Sequence, residues 1–212
     1  MATTLKRMFE YKKLETEGEV EITKVKGEIT STLTIPETMW GHRVVGIADM
    51  FITENSILEV VELPPSIKKI GNFAFSKCPN LKTINIPDSV EEIGCCVFYE
   101  CVNLEMRLSI PRGLKRIGDL CFYKCGKVNG DAIFGDGILR IGSQCFKGSG
   151  LDGYIYYNKL AISKDAINPF AGLKVIELKR VDDYSEEEVM GYLLSKFVID
   201  RMPKCNHRER RD

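Results

Sequence analysis

Apolar residues recur along this chain in a fixed phase much longer than a helix turn or a strand pleat. Ile-Gly occurs at Ile70-Gly71, Ile93-Gly94, Ile117-Gly118 and Ile141-Gly142, preceded by Ile47-Ala48, with the isoleucines 23, 23, 24 and 24 residues apart. Five positions after the last four stand Phe75, Phe98, Phe122 and Phe146. Eight positions after each Ile come Asn55, Cys78, Cys101, Cys125 and Ser149, and eleven after come Leu58, Leu81, Leu104 and Val128, with Asp152 breaking the column beside Leu151. Six before lie Gly41, Pro64, Pro87, Pro111 and Gly135. A period of this length marks a stacked-repeat architecture, in which one unit cannot bury its own apolar face and neighbours share a continuous core.

Each unit reads L-x-x-I-x-I-P-x-x-V-x-x-I-G-x-x-A-F-x-x-C. Before the proline, Ile84 and Ile86 alternate with Thr83 and Asn85, the period of two that a strand requires. Proline ends that strand, because it has no N–H for a ladder bond. The Val-x-x-Ile part reads as a second short extended or turn-like piece. Gly is expected to allow a backbone reversal, and A-F-x-x-C to form a helical turn that drives Phe inward.

These residues resemble the BspA-like leucine-rich repeats, a bacterial and protist class with units of about 23 residues; "LPPSIKKIGNFAFSKCPNLKTINIP" and "IPDSVEEIGCCVFYECVNL" fit it closely. The start, "FEYKKLETEGEVEITKVKG…LTIPETMWGHRVVGI", looks like the β-rich segment that opens many such proteins, and the resemblance runs from about Phe9 to Leu178. It implies a mostly-β α/β solenoid: a right-handed horseshoe or arc of units of 23–24 residues, with a parallel sheet of short strands lining a concave face. A repeat class implies shape and not activity.

The pattern loosens towards the end. "GKVNGDAIFGDG" puts Gly135 in the proline slot, and beyond Phe146 the spacing decays while Phe170, Leu173, Ile176 and Leu178 persist, as expected of a degenerate last coil and an exit strand. The solenoid is thus expected over residues 1–181. Residues 182–200 read as a C-terminal capping helix: Ser185-x-x-Glu188 is a capping box, Asp182, Asp183, Glu186 and Glu187 suit a helix N-terminus, and Met190, Leu193, Leu194, Phe197 and Val198 make one apolar stripe. A dimerisation or partner helix is the alternative. Residues 201–212, "RMPKCNHRERRD", are expected to be a disordered basic tail.

Composition narrows the function. Thirty basic and thirty acidic residues leave no net charge, so the broad positive footprint of nonspecific nucleic-acid binding is missing and no specific nucleic-acid binding is expected. No run of 18 apolar residues offers a membrane span. The first residues have no apolar export segment, so the eight cysteines are expected to be reduced and mostly buried, with Cys205 the most exposed. Cys78, Cys101 and Cys125 share one repeat slot, and Cys121 and Cys145 another. Equivalent slots stack as a ladder rather than a tetrahedron, so no metal is expected. The Asn/Cys/Ser column is expected to bond the turn backbone instead. The two histidines, His42 and His207, have no activated nucleophile in their sequence setting, and no Gly-rich phosphate loop opens a helix. No enzyme and no cofactor are expected.

That leaves the outward strand positions of the concave sheet. Two before the proline slot these are Thr34, Glu62, Asn85, Ser109, Ile133, Tyr156 and, by extension, Glu177; four before it they are Val60, Thr83, Arg107, Asp131, Tyr154 and Val175. The first half is small and polar. The second gathers Arg107, Asp131, Ile133, Tyr154 and Tyr156, rich in the residue types that dominate protein interfaces. The extra residue in "LEMRLSIP" leaves the register of Arg107 open, and packing of the tyrosines under the last coil is the alternative to their exposure. The expectation is a non-catalytic, cytoplasmic, monomeric protein-interaction module, either an adaptor or a specific inhibitor. The alternative is a secreted or cell-surface adhesin-type repeat domain separated from its leader.

Overall fold

The computed structural model describes residues 7–108, 110–111, 113–130, 132, 134 and 137–151, and the backbone of 133, 155–158 and 175–178. The capping helix and basic tail expected over 182–212 lie outside the described residues. So do Asp131, Tyr154 and Cys205.

The chain opens with an antiparallel pair, β1 (Phe9–Lys13) and β2 (Glu19–Val25). After β3 (Thr32–Thr34) comes a hairpin of β4 (Thr38–Met39) and β5 (His42–Ile47). Its two turn residues, Trp40 and Gly41, have φ of 48° and 86°, the left-handed pair that a tight hairpin needs. From there the coils stack in parallel. β7 (Lys69–Ile70), β9 (Glu92–Ile93), β10 (Arg116–Ile117) and β12 (Arg140–Ile141) continue from β5 in register, so that Ile47, Ile70, Ile93, Ile117 and Ile141 form one row. The Val-x-x-Ile piece is therefore the backbone of the longest sheet. The pre-proline segments build the other side: β3 with β6 (Val60–Glu62) and β8 (Thr83–Ile84), then β11 (Ala132–Ile133), β13 (Ile155–Asn158) and β14 (Val175–Leu178). The result is a mostly-β solenoid of about five turns.

The third side departs from the expected helical turn. Alternate amides in each coil donate to the next coil: Phe73 to Cys95, Phe75 to Val97 and Lys77 to Tyr99, then Cys96 to Asp119, Phe98 to Cys121 and Glu100 to Tyr123. The geometry that aims them there puts the third and seventh residues after each Ile in the left-handed region. These are Met50, Phe73, Cys96, Leu120 and Gln144 (φ 50–56°), and Glu54, Lys77, Glu100 and Lys124 (φ 54–57°), with Gly148 closing the second column. A non-glycine residue resists this conformation, and the inter-coil amide ladder holds it.

Inside, Phe75, Phe98, Phe122 and Phe146 are fully buried and form a continuous stack, with ring centroids 6.1, 5.1 and 5.4 Å apart. Phe51 and Phe134 close it edge-on. The apolar columns read from the sequence are all core: Leu58, Leu81, Leu104 and Val128 are completely buried.

The Ile-Gly glycines have a different reason from the expected reversal: none has a positive φ among the described residues. A Cβ on Gly71 would lie 2.5 Å from the backbone N of Asp49, and one on Gly94 would lie 2.7 Å from that of Asn72. At Gly118 and Gly142 it would strike the backbone of Cys95 and of Gly118. Glycine here lets one coil's backbone lie against the previous one. Ala48 is tolerated in the first coil, where β2 precedes it. Gly118→Ala is therefore expected to cost more than about 2 kcal/mol in urea unfolding, through strain, whereas Ala48→Gly should cost only about 0.5–1 kcal/mol of backbone entropy.

Candidate functional site

The outward positions of the first pre-proline sheet fall where the alternation places them. Leu33, Val61 and Ile84 are buried and in register, while Thr34, Glu62, Thr83 and Asn85 are exposed. Their polar groups are engaged within the chain. Thr34 Oγ1 donates to Glu62 at 2.7 Å, Asn85 Nδ2 donates to the Leu63 carbonyl at 2.8 Å, and the Leu63 N–H donates back to Asn85 Oδ1 at 2.7 Å. A shallow hollow of about 570 Å³ opens over β6 and β8, lined by Val60, Glu62, Thr83 and Asn85 among others.

Further along the same side, the residues expected to bind a partner are placed by backbone register. Ile133 pairs with Tyr156, and Tyr156 with Ile176, so these three share one row of the sheet. Two register assignments change. Ile176 rather than Glu177 stands beside Tyr156, and Glu177 pairs with Tyr157. Arg107 bridges Asn129 rather than lining up with Asp131. The faces stay as the alternation places them, with Leu108 in the core (5% exposed) and Arg107 outside. Arg107 runs across Gly130, where a Cβ would meet its Cγ at 2.8 Å.

The thiols have a structural role. Cys78, Cys101 and Cys125 donate to carbonyls of the preceding coil: Ile52 at 3.5 Å, Phe75 at 3.1 Å and Phe98 at 2.9 Å. The expected bond to the turn backbone is thus made to the neighbouring coil and ties two coils together. Asn55, in the same column, accepts from the Ile57 and Leu58 amides of its own turn. Burial pushes the Cys101 thiol up to about 12 and raises Cys78, Cys121 and Cys125 as well. Such thiols stay protonated and are poor nucleophiles. The seven described cysteines are free, and among the described residues no three His, Cys, Asp or Glu side chains converge on a metal position. His42 is half-buried in β5, opposite Met39.

One surface feature escaped the sequence reading. Tyr99 and Tyr123, six residues after their isoleucines, stack in parallel 5.1 Å apart, with the Lys124 ammonium 5.3 Å from the Tyr123 ring centre. The repeated Phe-Tyr dipeptide was the available signal. Beside the pair runs a charge ladder: Lys77 reaches Glu54 at 3.0 Å and Lys124 reaches Glu100 at 2.8 Å. The hydrogen bond from Lys124 holds the Glu100 carboxyl below its usual range.

Parallel coils in register, one face of short strands and columns of Leu, Ile, Phe and Cys define a leucine-rich repeat solenoid. The profile of the BspA type leucine-rich repeat region matches residues 47–171 in six copies, and the chain belongs to that family. Among solved structures, the leucine-rich repeat protein of T. pallidum is 29% identical over 71% of this chain and 69% of its own, with a TM-score of 0.65. A leucine-rich cell surface protein of Faecalibacterium prausnitzii shares the fold at 21% identity and a TM-score of 0.53, over 80% of this chain and 53% of its own. No curated protein matches significantly. No described helix is long and apolar enough to cross a membrane.

The buried thiols tie stability to pH. Cys101 is held at about 12 in the fold against 9.0 when free, so its contribution is intact below pH 9 and is lost as the pH rises from there towards 12. The urea midpoint of the protein should therefore fall more steeply over that window than the midpoint of Cys101→Ala. Equal slopes would mean that the thiol is not desolvated.

Proposed function

We propose that the protein is a non-catalytic interaction module that binds another protein, as an adaptor or a specific inhibitor, through the outward face of the pre-proline strands. The observation that carries this reading is the row Ile133–Tyr156–Ile176, held in register on three parallel strands. Arg107, Asp131 and Tyr154 complete the proposed contact set. Rigid strands present side chains at low entropic cost on binding, and tyrosine is among the residue types that dominate interface hot spots. The polar half around Thr34, Glu62 and Asn85 is already hydrogen-bonded within the chain, so it has less to gain from a partner.

Two compartments are in play. The free thiols favour the cytoplasm, since reduced cysteines persist there. A second reading places the same interface at the cell surface, in an adhesin-type domain, and the description of the F. prausnitzii relative as a cell surface protein favours it. Protease digestion of intact cells separates the two: loss of the protein from unbroken cells means surface exposure.

The interface itself is tested by a photo-cross-linking residue at Tyr156, at Arg107 or, on the opposite sheet, at Lys69. A partner adduct should form at the first two positions and not at Lys69. With that partner in hand, Tyr154→Ala with Tyr156→Ala should weaken binding by about 2 kcal/mol or more and leave the unfolding temperature almost unchanged. Cross-links confined to Lys69, or a large loss of stability with binding intact, would overturn the assignment.

A further inference from the structure

We infer that the turn side of the solenoid, carrying Met50, Phe73, Tyr99 and Tyr123 beside the ladder Glu54–Lys77–Glu100–Lys124, is the interface of an antiparallel dimer with a second copy of this chain.

The inference rests on self-complementarity. A dyad joins a surface patch to itself in reverse order. Four successive coils place Glu54, Lys77, Glu100 and Lys124 in one column, so the signs along the solenoid run minus, plus, minus, plus. Turned end for end, that string reads plus, minus, plus, minus. With the dyad between the coils of Lys77 and Glu100, Glu54 meets Lys124 of the second copy and Lys77 meets its Glu100, twice over. Every charge then gains an opposite neighbour beyond the one it has within the chain, and no like pair forms.

Shape follows the same rule. The sixth residue after each Ile is Thr53, Ser76, Tyr99 and Tyr123 in successive coils. Ser76 is buried, whereas the stacked tyrosine rings stand at the surface and are half-buried. Reversal sets the small Thr53 and the buried Ser76 opposite Tyr123 and Tyr99 of the other copy, large side chains against small ones. The third residue after each Ile is Met50, Phe73, Cys96 and Leu120. Met50 is 68% and Phe73 42% exposed, and reversal would set them against the flatter surface around the half-buried Leu120 and the buried Cys96. The other charge columns alternate as well, with Lys82 on Glu59 and Lys127 on Glu105, but they lack this paired aromatic relief. Exposed apolar side chains beside satisfied charges mark an interaction surface.

Four paired coils about 4.8 Å apart make a face only some 20 Å long, at the small end of interfaces. The dimer is therefore expected to be weak, reversible and favoured by low salt, because its charges are half exposed and screened.

Sedimentation velocity on the full chain, from about 10 to 500 µM at about 50 and 500 mM NaCl, tests this. A dimer that weakens at high salt is expected. Lys77→Glu sets carboxylate against carboxylate, at positions 77 and 100, twice across the dyad and should weaken dimerisation at least about tenfold. Adding Glu100→Lys swaps the pair and should restore it, although both variants break up the ladder within the chain, so that restoration reports on the contact between copies. Phe73→Ser should also dissociate the dimer, and circular dichroism checks that each variant is folded. A wild-type chain that stays monomeric at the highest concentration in low salt would overturn the proposal. So would a dimer indifferent to Lys77→Glu, or a folded double variant that remains monomeric.

Discussion

Everything in this molecule depends on how closely one coil's backbone can lie on the one before it. The approach is set on three sides at once: by the parallel ladder through the Ile row, by the pre-proline strands, and by the alternate amides of the turn side. No coil is stable alone, because its amides and its Phe and Leu side chains find partners only in a neighbour. The glycine after Ile70, Ile93, Ile117 and Ile141 is where the constraint is sharpest, since any side chain there would occupy the backbone of the preceding coil. The same closeness explains the left-handed residues. Nine non-glycine positions from Met50 to Gln144 keep a conformation they would leave in isolation, because leaving it would break the bonds to the next coil.

This is also why so much of the fold was legible. A column must suit the same micro-environment in every coil, so Ile70, Phe75, Cys78 and Leu81 announce their burial by repeating. What the repeat did not reveal is what one position alone cannot encode. Lys69-Ile70 reads as extended or turn-like because only two residues of each unit pair; the structure takes the extended reading, and its sheet exists only as a stack. The A-F-x-x-C stretch looks helical because its i to i+3 turn bonds are local, as from the Ser76 amide to the Phe73 carbonyl, while its decisive bonds run to the next coil. Arg107 keeps the outward face that the alternation gave it, with Leu108 in the core. Only its neighbour in the next coil differs, Asn129 in place of Asp131, a shift of two that leaves the face unchanged.

Function is less legible for a matching reason. Positions outside the repeating columns answer to no such constraint, so Ile133, Tyr156 and Ile176, one row by backbone register, carry no period that would distinguish a site from a surface. Composition and register have to stand in: aromatic and aliphatic residues in one backbone row at one end, and polar side chains already bonded within the chain at the other. The stacked Tyr99 and Tyr123 show the limit of column reading, because the same slot holds Thr53 and Ser76 in the earlier coils.

The net charge of zero conceals a further layer of information. Pro64 to Ile86 carries Lys68, Lys69, Lys77 and Lys82 and no acidic residue, whereas Pro87 to Ile110 carries Asp88, Glu91, Glu92, Glu100 and Glu105 against Arg107 alone. Pro111 to Phe134 turns basic again through Arg112, Lys115, Arg116, Lys124 and Lys127, and the coil before Pro64 is acidic through Asp49, Glu54, Glu59 and Glu62. The sign thus alternates coil by coil along several exposed columns, and the bridges from Lys77, Lys82, Lys115, Lys124 and Lys127 all join adjacent coils. The cores of the coils are nearly interchangeable, so burial alone cannot distinguish the next coil from the one after it. A chain that skipped one coil would keep its Phe stack and its Ile row but would set lysine on lysine and glutamate on glutamate along those columns, which is unfavourable across a ladder. Each exposed pair is weak, yet all of them change sign together when the order slips. The apolar columns make the coils stack, and the charge columns add a penalty when the order slips.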